Sequence, residues 1–93
     1  MDLYPSRDHD LWVAKPSPSH AYDPELLALG NAIRDRRADL KLSQESLALK
    51  VGIDRSYLGG IERGEHNLAI VNLIRIASAL EVSAAELLEM AGL

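Results

Sequence analysis

Two short segments joined by a very short turn constrain this chain more than any other feature of its sequence. Residues 43–51 begin with a serine and residues 54–62 with an aspartate, two residue types that can cap the N-terminus of a helix. Gly52, between the segments, suits the left-handed backbone conformation that ends many helices. Because so short a connection leaves too little chain for an antiparallel hairpin, we predict two helices that cross steeply at a tight turn.

The side chains of these segments match that geometry. Ala48 allows the two helices to approach closely, and apolar residues form a seam between them: Leu47, Val51, Ile53, Leu58 and Ile61. Each position alone is weak evidence because these residue types are common, but together with the two caps the pattern is specific. It predicts a helix-turn-helix over about residues 43–62.

Further helices are predicted on both sides of this motif. Asp23 followed by Pro24 indicates the start of a first helix that ends near Asp39, and Ser83 caps a last helix. Helical spacing assigns an inward face of a fourth helix to Ile70, Leu73, Ile74, Ala77 and Leu80. With 4% aromatic residues and no Phe, we expect an all-α domain of five helices, without strands, over residues 24–93.

Residues 1–23 differ from the rest in composition. They contain three of the four prolines and show no sustained helical period, so we predict a flexible N-terminal arm. Leu11, Trp12 and Val13 form an apolar triplet within it that could dock on the domain or on a second chain.

Composition also limits the function. The chain has no Cys and no apolar run of the ~20 residues that span a bilayer. Its first residues lack the basic start and apolar stretch of a signal peptide, so we expect neither a membrane span nor export. Its three histidines follow no catalytic or metal-binding pattern, so we expect no catalytic residue, no metal site and no cofactor. The expectation is a small cytoplasmic binding protein. The net charge is −4, but residues 31–66 carry seven basic and six acidic side chains. This segment therefore repels a bound polyanion less than the rest of the chain does.

Three stretches occur in order and without gaps: AIRDRRADLKLSQESLALKVGI, DRSYLGGIERGEHNLAI and LIRIASALEVSAAELL. Over residues 25–91 the chain resembles the lambda-repressor-like, or XRE-type, helix-turn-helix family. The second stretch is most similar to the controller proteins of restriction-modification systems. The resemblance implies a transcriptional regulator that binds double-stranded DNA sequence-specifically.

Base contacts follow from this resemblance, which implies that the second helix of the motif lies in the major groove. Arg55 and Ser56 occupy its base-reading positions, and Arg55 can donate two hydrogen bonds to one guanine. Gly59 and Gly60 each cost a helix interior about 1 kcal/mol relative to Ala. We predict that they let the helix approach the bases; alternatively, Gly60 relieves crowding within the protein.

Phosphate contacts are expected at the start of the motif and after its second helix. The residues in these positions are Gln44, Arg63, His66 and Asn67. Similar controller proteins carry an Arg at the position of His66 and a small hydroxyl residue at that of Gly59. Alternatively, Gln44 caps its helix and Asn67 starts the turn into the next one.

The resemblance also implies a structural ion pair between Arg37 and Glu62, and a two-fold homodimer on a palindromic operator. The dimer would be built from the C-terminal helices. Apolar residues beyond the needs of one core are candidates for its interface: Val71, Ile76, Leu88, Met90 and Leu93.

Two other functions remain open. An antitoxin-like adaptor would bind operator DNA and also a protein partner through the N-terminal arm. A protein-interaction module without DNA binding is disfavoured because Arg55 and Arg63 are both present.

Overall fold

The computed structural model describes the backbone of residues 3–5 and 12–14 and all of residues 20–93. Within residues 20–93 it contains five helices: α1 (Pro24–Asp39), α2 (Gln44–Val51), α3 (Arg55–Glu62), α4 (Ile70–Ala79) and α5 (Ala84–Met90). The all-α, five-helix domain predicted from the sequence is confirmed. None of the helices in this part of the chain is long and apolar enough to cross a membrane.

Ahead of the helices, two short strands pair antiparallel: β1 (Leu3–Pro5) and β2 (Trp12–Ala14). The predicted docking of the apolar triplet stays a prediction, since Leu11 and the neighbouring side chains lie outside the described residues. Residues 20–22, which composition assigned to the arm, are attached to the domain. The N–H of Tyr22 donates to the carbonyl oxygen of Gly64 at 2.6 Å.

Local hydrogen bonds fix the starts of α2 and α5, and a left-handed glycine ends α2. Ser43 accepts a hydrogen bond from the N–H of Ser46 at 3.0 Å and so caps α2. Ser83 and Glu86 form a reciprocal capping box at the start of α5. Gly52 ends α2 with a φ of 84°, the left-handed conformation predicted for it. These local predictions are confirmed.

The two predicted aspartate caps are not formed. Asp23 and Asp54 occupy the N-cap positions of α1 and α3, but neither side chain bonds to its helix. Asp23 instead lies 3.0 Å from Nδ1 of His20. For α1, Pro24 at the first helical position supplies a start signal that needs no side-chain cap.

The core lies where all five helices meet. Its fully buried large side chains are Ile33, Leu47, Leu58, Ile76, Leu80 and Leu87. Gly30 allows α1 to cross directly over the end of α3, because a Cβ there would lie 2.5 Å from the carbonyl oxygen of Glu62. This close backbone contact fixes the distance between α1 and the end of α3.

The inward face of α4 differs from the predicted one. Leu73, Ala77 and Leu80 are buried as expected, but Ile70 and Ile74 are 62% and 52% exposed. Ile76, predicted on the dimer surface, is fully buried, so its assignment to that surface is wrong. The helix carries isoleucines on two sides, and spacing alone could not show which side the other helices cover.

Candidate nucleic-acid interface

The outer side of α3 starts with two exposed polar residues. Arg55 and Ser56 occupy the first turn of the helix and both are exposed to solvent. Leu58 and Ile61 on the opposite side are buried in the core. A rigid helix therefore holds a guanidinium and a hydroxyl group on the surface of the domain, where they can donate to an external acceptor.

A buried network fixes this helix relative to α1 and α2. Glu62 is 3% exposed and accepts hydrogen bonds from Nε and Nη2 of Arg37, at 2.8 and 3.0 Å. Nη1 of Arg37 donates to the carbonyl oxygen of Leu42 at 3.0 Å. The hydrogen bond to Glu62 raises the pKa of Arg37, although desolvation opposes the shift. The ion pair expected between Arg37 and Glu62 is therefore present, and it is structural.

Gln44 joins this network. Its Nε2 donates to Oε1 of Glu62 at 2.9 Å, while Ser43 caps the helix. The alternative in which Gln44 serves as that cap is therefore wrong. Because one side of its amide is held by Glu62, Gln44 has a set orientation beside the free N–H groups at the start of α2.

Gly59 and Gly60 are covered by side chains that follow them in the chain. A Cβ at Gly59 would lie 3.1 Å from Nη1 of Arg63, and one at Gly60 would lie 2.6 Å from Nε2 of His66. Both glycines are buried. This arrangement does not match the predicted direct contact of these glycines with bases. It fits the alternative in which Gly60 relieves crowding within the protein.

The ring of His66 packs against Tyr57 and Gly60 of α3. The ring lies 4.9 Å from that of Tyr57, centroid to centroid, with the planes tilted by 56°. Because Nε2 of His66 lies 2.6 Å from the position of a Cβ on Gly60, the histidine folds back onto α3. These contacts hold His66 close to the outer side of α3.

Arg63 is exposed at the end of α3 and paired with an acidic neighbour. Its Nε donates to the carboxylate of Glu65. This hydrogen bond raises the pKa of Arg63 and lowers that of Glu65. Asn67 follows in the exposed turn before α4. Arg55, Gln44, Arg63 and His66 thus surround the outer side of α3.

The residues expected at a dimer interface separate into two groups. Val71, Met90 and Leu93 are exposed, whereas Leu88 packs partly against the core. Ile70 and Ile74 join the exposed group although the sequence assigned them to the core. These five exposed residues lie on α4, on α5 and at the C-terminus.

Sequence reasoning missed two residues near this interface. Gly30 was overlooked although an unexplained glycine inside a helix, which costs about 1 kcal/mol relative to Ala, is a usable signal for a close contact. Tyr22 carried no such signal, because its position beside Gly64 depends on a contact between distant parts of the chain.

These features define a helix-turn-helix domain, and comparisons with known proteins agree. A family described as helix-turn-helix matches residues 33–87. Control protein C.SmaI from Serratia marcescens is 42% identical over 65 residues, which cover 70% of this chain and 77% of that protein. Control protein C.MunI from a Mycoplasma species is 37% identical over 62 residues, or 66% of this chain and 84% of that protein.

A solved structure shows the same similarity. The restriction-modification controller protein C.AhdI from Aeromonas hydrophila superposes with a TM-score of 0.66 at 44% identity, covering 68% of this chain and 96% of that one. The chain belongs to the XRE-type helix-turn-helix family of DNA-binding transcriptional regulators, the family that includes these controller proteins.

Proposed function

We propose that this protein regulates transcription as a homodimer that binds a palindromic operator with α3 in the major groove. The observation that carries the proposal is the pair of exposed polar residues, Arg55 and Ser56, at the start of a helix whose other face is fixed in the core. In helix-turn-helix proteins the N-terminal residues of the second helix contact base edges. Arg55 is suited to guanine, and Ser56 accepts or donates with less selectivity.

The phosphate contacts belong to the same proposal. The N–H groups at the start of α2, with Gln44 held beside them, contact phosphates at one end of the site. Arg63, His66 and Asn67 contact phosphates at its other end. Arg63 would exchange the carboxylate of Glu65 for a phosphate. Gly59 and Gly60 support these contacts indirectly, by giving Arg63 and His66 room to lie along α3.

Dimerisation is supported by the exposed apolar residues of α4 and α5. Ile70, Val71, Ile74, Met90 and Leu93 are each about half exposed or more. A second copy that covers them would form a two-fold dimer, and helix-turn-helix dimers bind half-sites about 34–36 Å apart, one turn of B-DNA. This assignment retains Val71, Met90 and Leu93 from the sequence prediction and replaces Ile76 with Ile70 and Ile74.

Selection of binding sites from random duplex DNA tests the function. We expect a two-fold symmetric sequence to be enriched and its affinity to fall steeply with salt. Arg55→Ala should weaken binding by about 1–3 kcal/mol per half-site and relax the preference at one base pair. Arg75→Ala, which removes an exposed arginine from α4 beside the end of α2, is the matched control.

Two outcomes would contradict the proposal. One is a folded protein that enriches no sequence, and the other is an Arg55→Ala variant that binds like the Arg75→Ala control. In the first case a protein-interaction module without DNA binding would become the leading explanation, and residues 1–23 would be the first place to seek its partner.

A further inference from the structure

Tyr22 lies at the end of α3 although it precedes α1 in the chain. Its N–H donates to the carbonyl oxygen of Gly64, the residue that follows Arg63. The turn at Gly64 is in direct contact with the first helix, since a Cβ there would lie 2.8 Å from Cδ2 of Leu27. The segment before α1 is therefore fastened to the turn that follows α3.

The backbone holds the Tyr22 side chain outward. Its φ is 68°, a left-handed conformation that is unfavourable for residues with a side chain other than Asn and Asp. His20 and Asp23 close a turn around it, with the N–H of Asp23 donating to the carbonyl oxygen of His20 at 3.0 Å. The Tyr22 side chain is 60% exposed. A large aromatic side chain is thus kept in solvent by a restrained turn.

Arg63 is a charged neighbour of this side chain. The hydrogen bond to Glu65 is the main cause that raises the pKa of Arg63, and the negative charge that the Tyr22 phenol carries when ionised acts in the same direction. Nη1 of Arg63 lies along the outer side of α3, 3.1 Å from the position of a Cβ on Gly59. Tyr22 therefore borders the same edge of the interface as Arg63.

We propose that Tyr22 is a further DNA-contacting residue, whose hydroxyl donates a hydrogen bond to a backbone phosphate beside the one bound by Arg63. The inference rests on the proposed function and extends the contact surface beyond the helix-turn-helix. Tyrosine hydroxyls are among the groups that contact phosphates and sugars, and such contacts position a protein without reading sequence. A phenol is neutral, so this contact releases no additional counterion.

The test is Tyr22→Phe, which removes the hydroxyl alone. We expect the dimer to bind its selected operator about tenfold more weakly, through the loss of one hydrogen bond per protomer. The loss should be equal on an unrelated duplex, and the dependence of affinity on salt should stay unchanged. Arg63→Gln is the matched comparison, because removing a charged contact should reduce the salt slope by about 1 for each arginine lost.

Tyr22→Gly separates contact from folding. Glycine adopts the left-handed conformation at no steric cost, so this variant should keep or raise the thermal stability while losing at least as much affinity as Tyr22→Phe. The inference is overturned if either variant binds like the wild type, or if the loss is confined to the selected operator. A wild-type protein that binds no DNA would instead refute the proposed function.

Discussion

Replacing Glu62 by alanine tests the buried network that joins α1, α2 and α3. Glu62 accepts hydrogen bonds from two nitrogen atoms of Arg37 and from the amide of Gln44. The substitution removes all three acceptor contacts and leaves a cation and an amide without their partner.

The magnitude follows from burial. Removing one partner of a buried ion pair costs about 3 to 5 kcal/mol, because the remaining charge is uncompensated. The Arg37 side chain is 16% exposed and keeps its hydrogen bond to Leu42 in the variant. We therefore expect a loss of stability at the lower end of this range, about 3 kcal/mol. Domains of this size unfold with about 4 to 11 kcal/mol and lose about 4–8 °C in Tm per kcal/mol. The variant should therefore melt at least about 12 °C lower.

Urea unfolding followed by circular dichroism measures this loss, at matched protein concentrations because a dimer gains stability from association. Glu65→Ala is the control, since it removes an acidic residue that pairs with an exposed arginine, and its midpoint should change little. The double variant Arg37→Met, Glu62→Met should regain most of the stability, because apolar residues of similar size replace the pair without a stranded charge.

A loss below about 1 kcal/mol for Glu62→Ala would refute the reasoning, since that is the range of solvent-exposed pairs. So would a double variant that is less stable than Glu62→Ala. If the expected loss is found, weak DNA binding by this variant reports unfolding and gives no evidence that Glu62 contacts DNA.

Three further predictions concern other parts of the domain. Gly60→Ala should displace the ring of His66, which a Cβ would approach to 2.6 Å, and change its NMR shifts; unchanged shifts would contradict the packing. The N–H of Ser83 donates to Glu86 and lowers the pKa of its carboxyl, so the capping box stabilises α5 above the unfolded pKa and loses this effect as pH falls through the folded pKa. Glu86→Gln should therefore flatten the acid limb of thermal stability against pH, and an unaltered limb would count against it. Ile74→Glu should convert the proposed dimer to a monomer in sedimentation equilibrium with helix content retained; a variant that stays dimeric would place the interface elsewhere.

The sequence was most informative where structure depends on neighbours within one helical turn. Ser43 and Ser83 were recognisable as caps, and Gly52 as a left-handed residue, because their hydrogen bonds and φ are set locally. The pair Arg37 and Glu62 was predicted from the family resemblance, which carries long-range information that spacing lacks.

Of the candidate site, the sequence identified Arg55 and Ser56 as the exposed start of α3, and the structure agrees with their exposure. It could not show that Arg63 and His66 fold back over Gly59 and Gly60. Glycine in a helix indicates a close approach, but which group makes that approach depends on side-chain positions in three dimensions.

The sequence by itself determined the number of helices in the described domain, the starts of α2 and α5 and the turn between α2 and α3, since caps, glycines and helical spacing act within a few residues. The tertiary structure alone decided that Ile76 faces inward while Ile70 and Ile74 face solvent, and that Tyr22 borders α3. The physical reason is that a helix with apolar residues on two sides has no preferred inward face until other helices cover one of them.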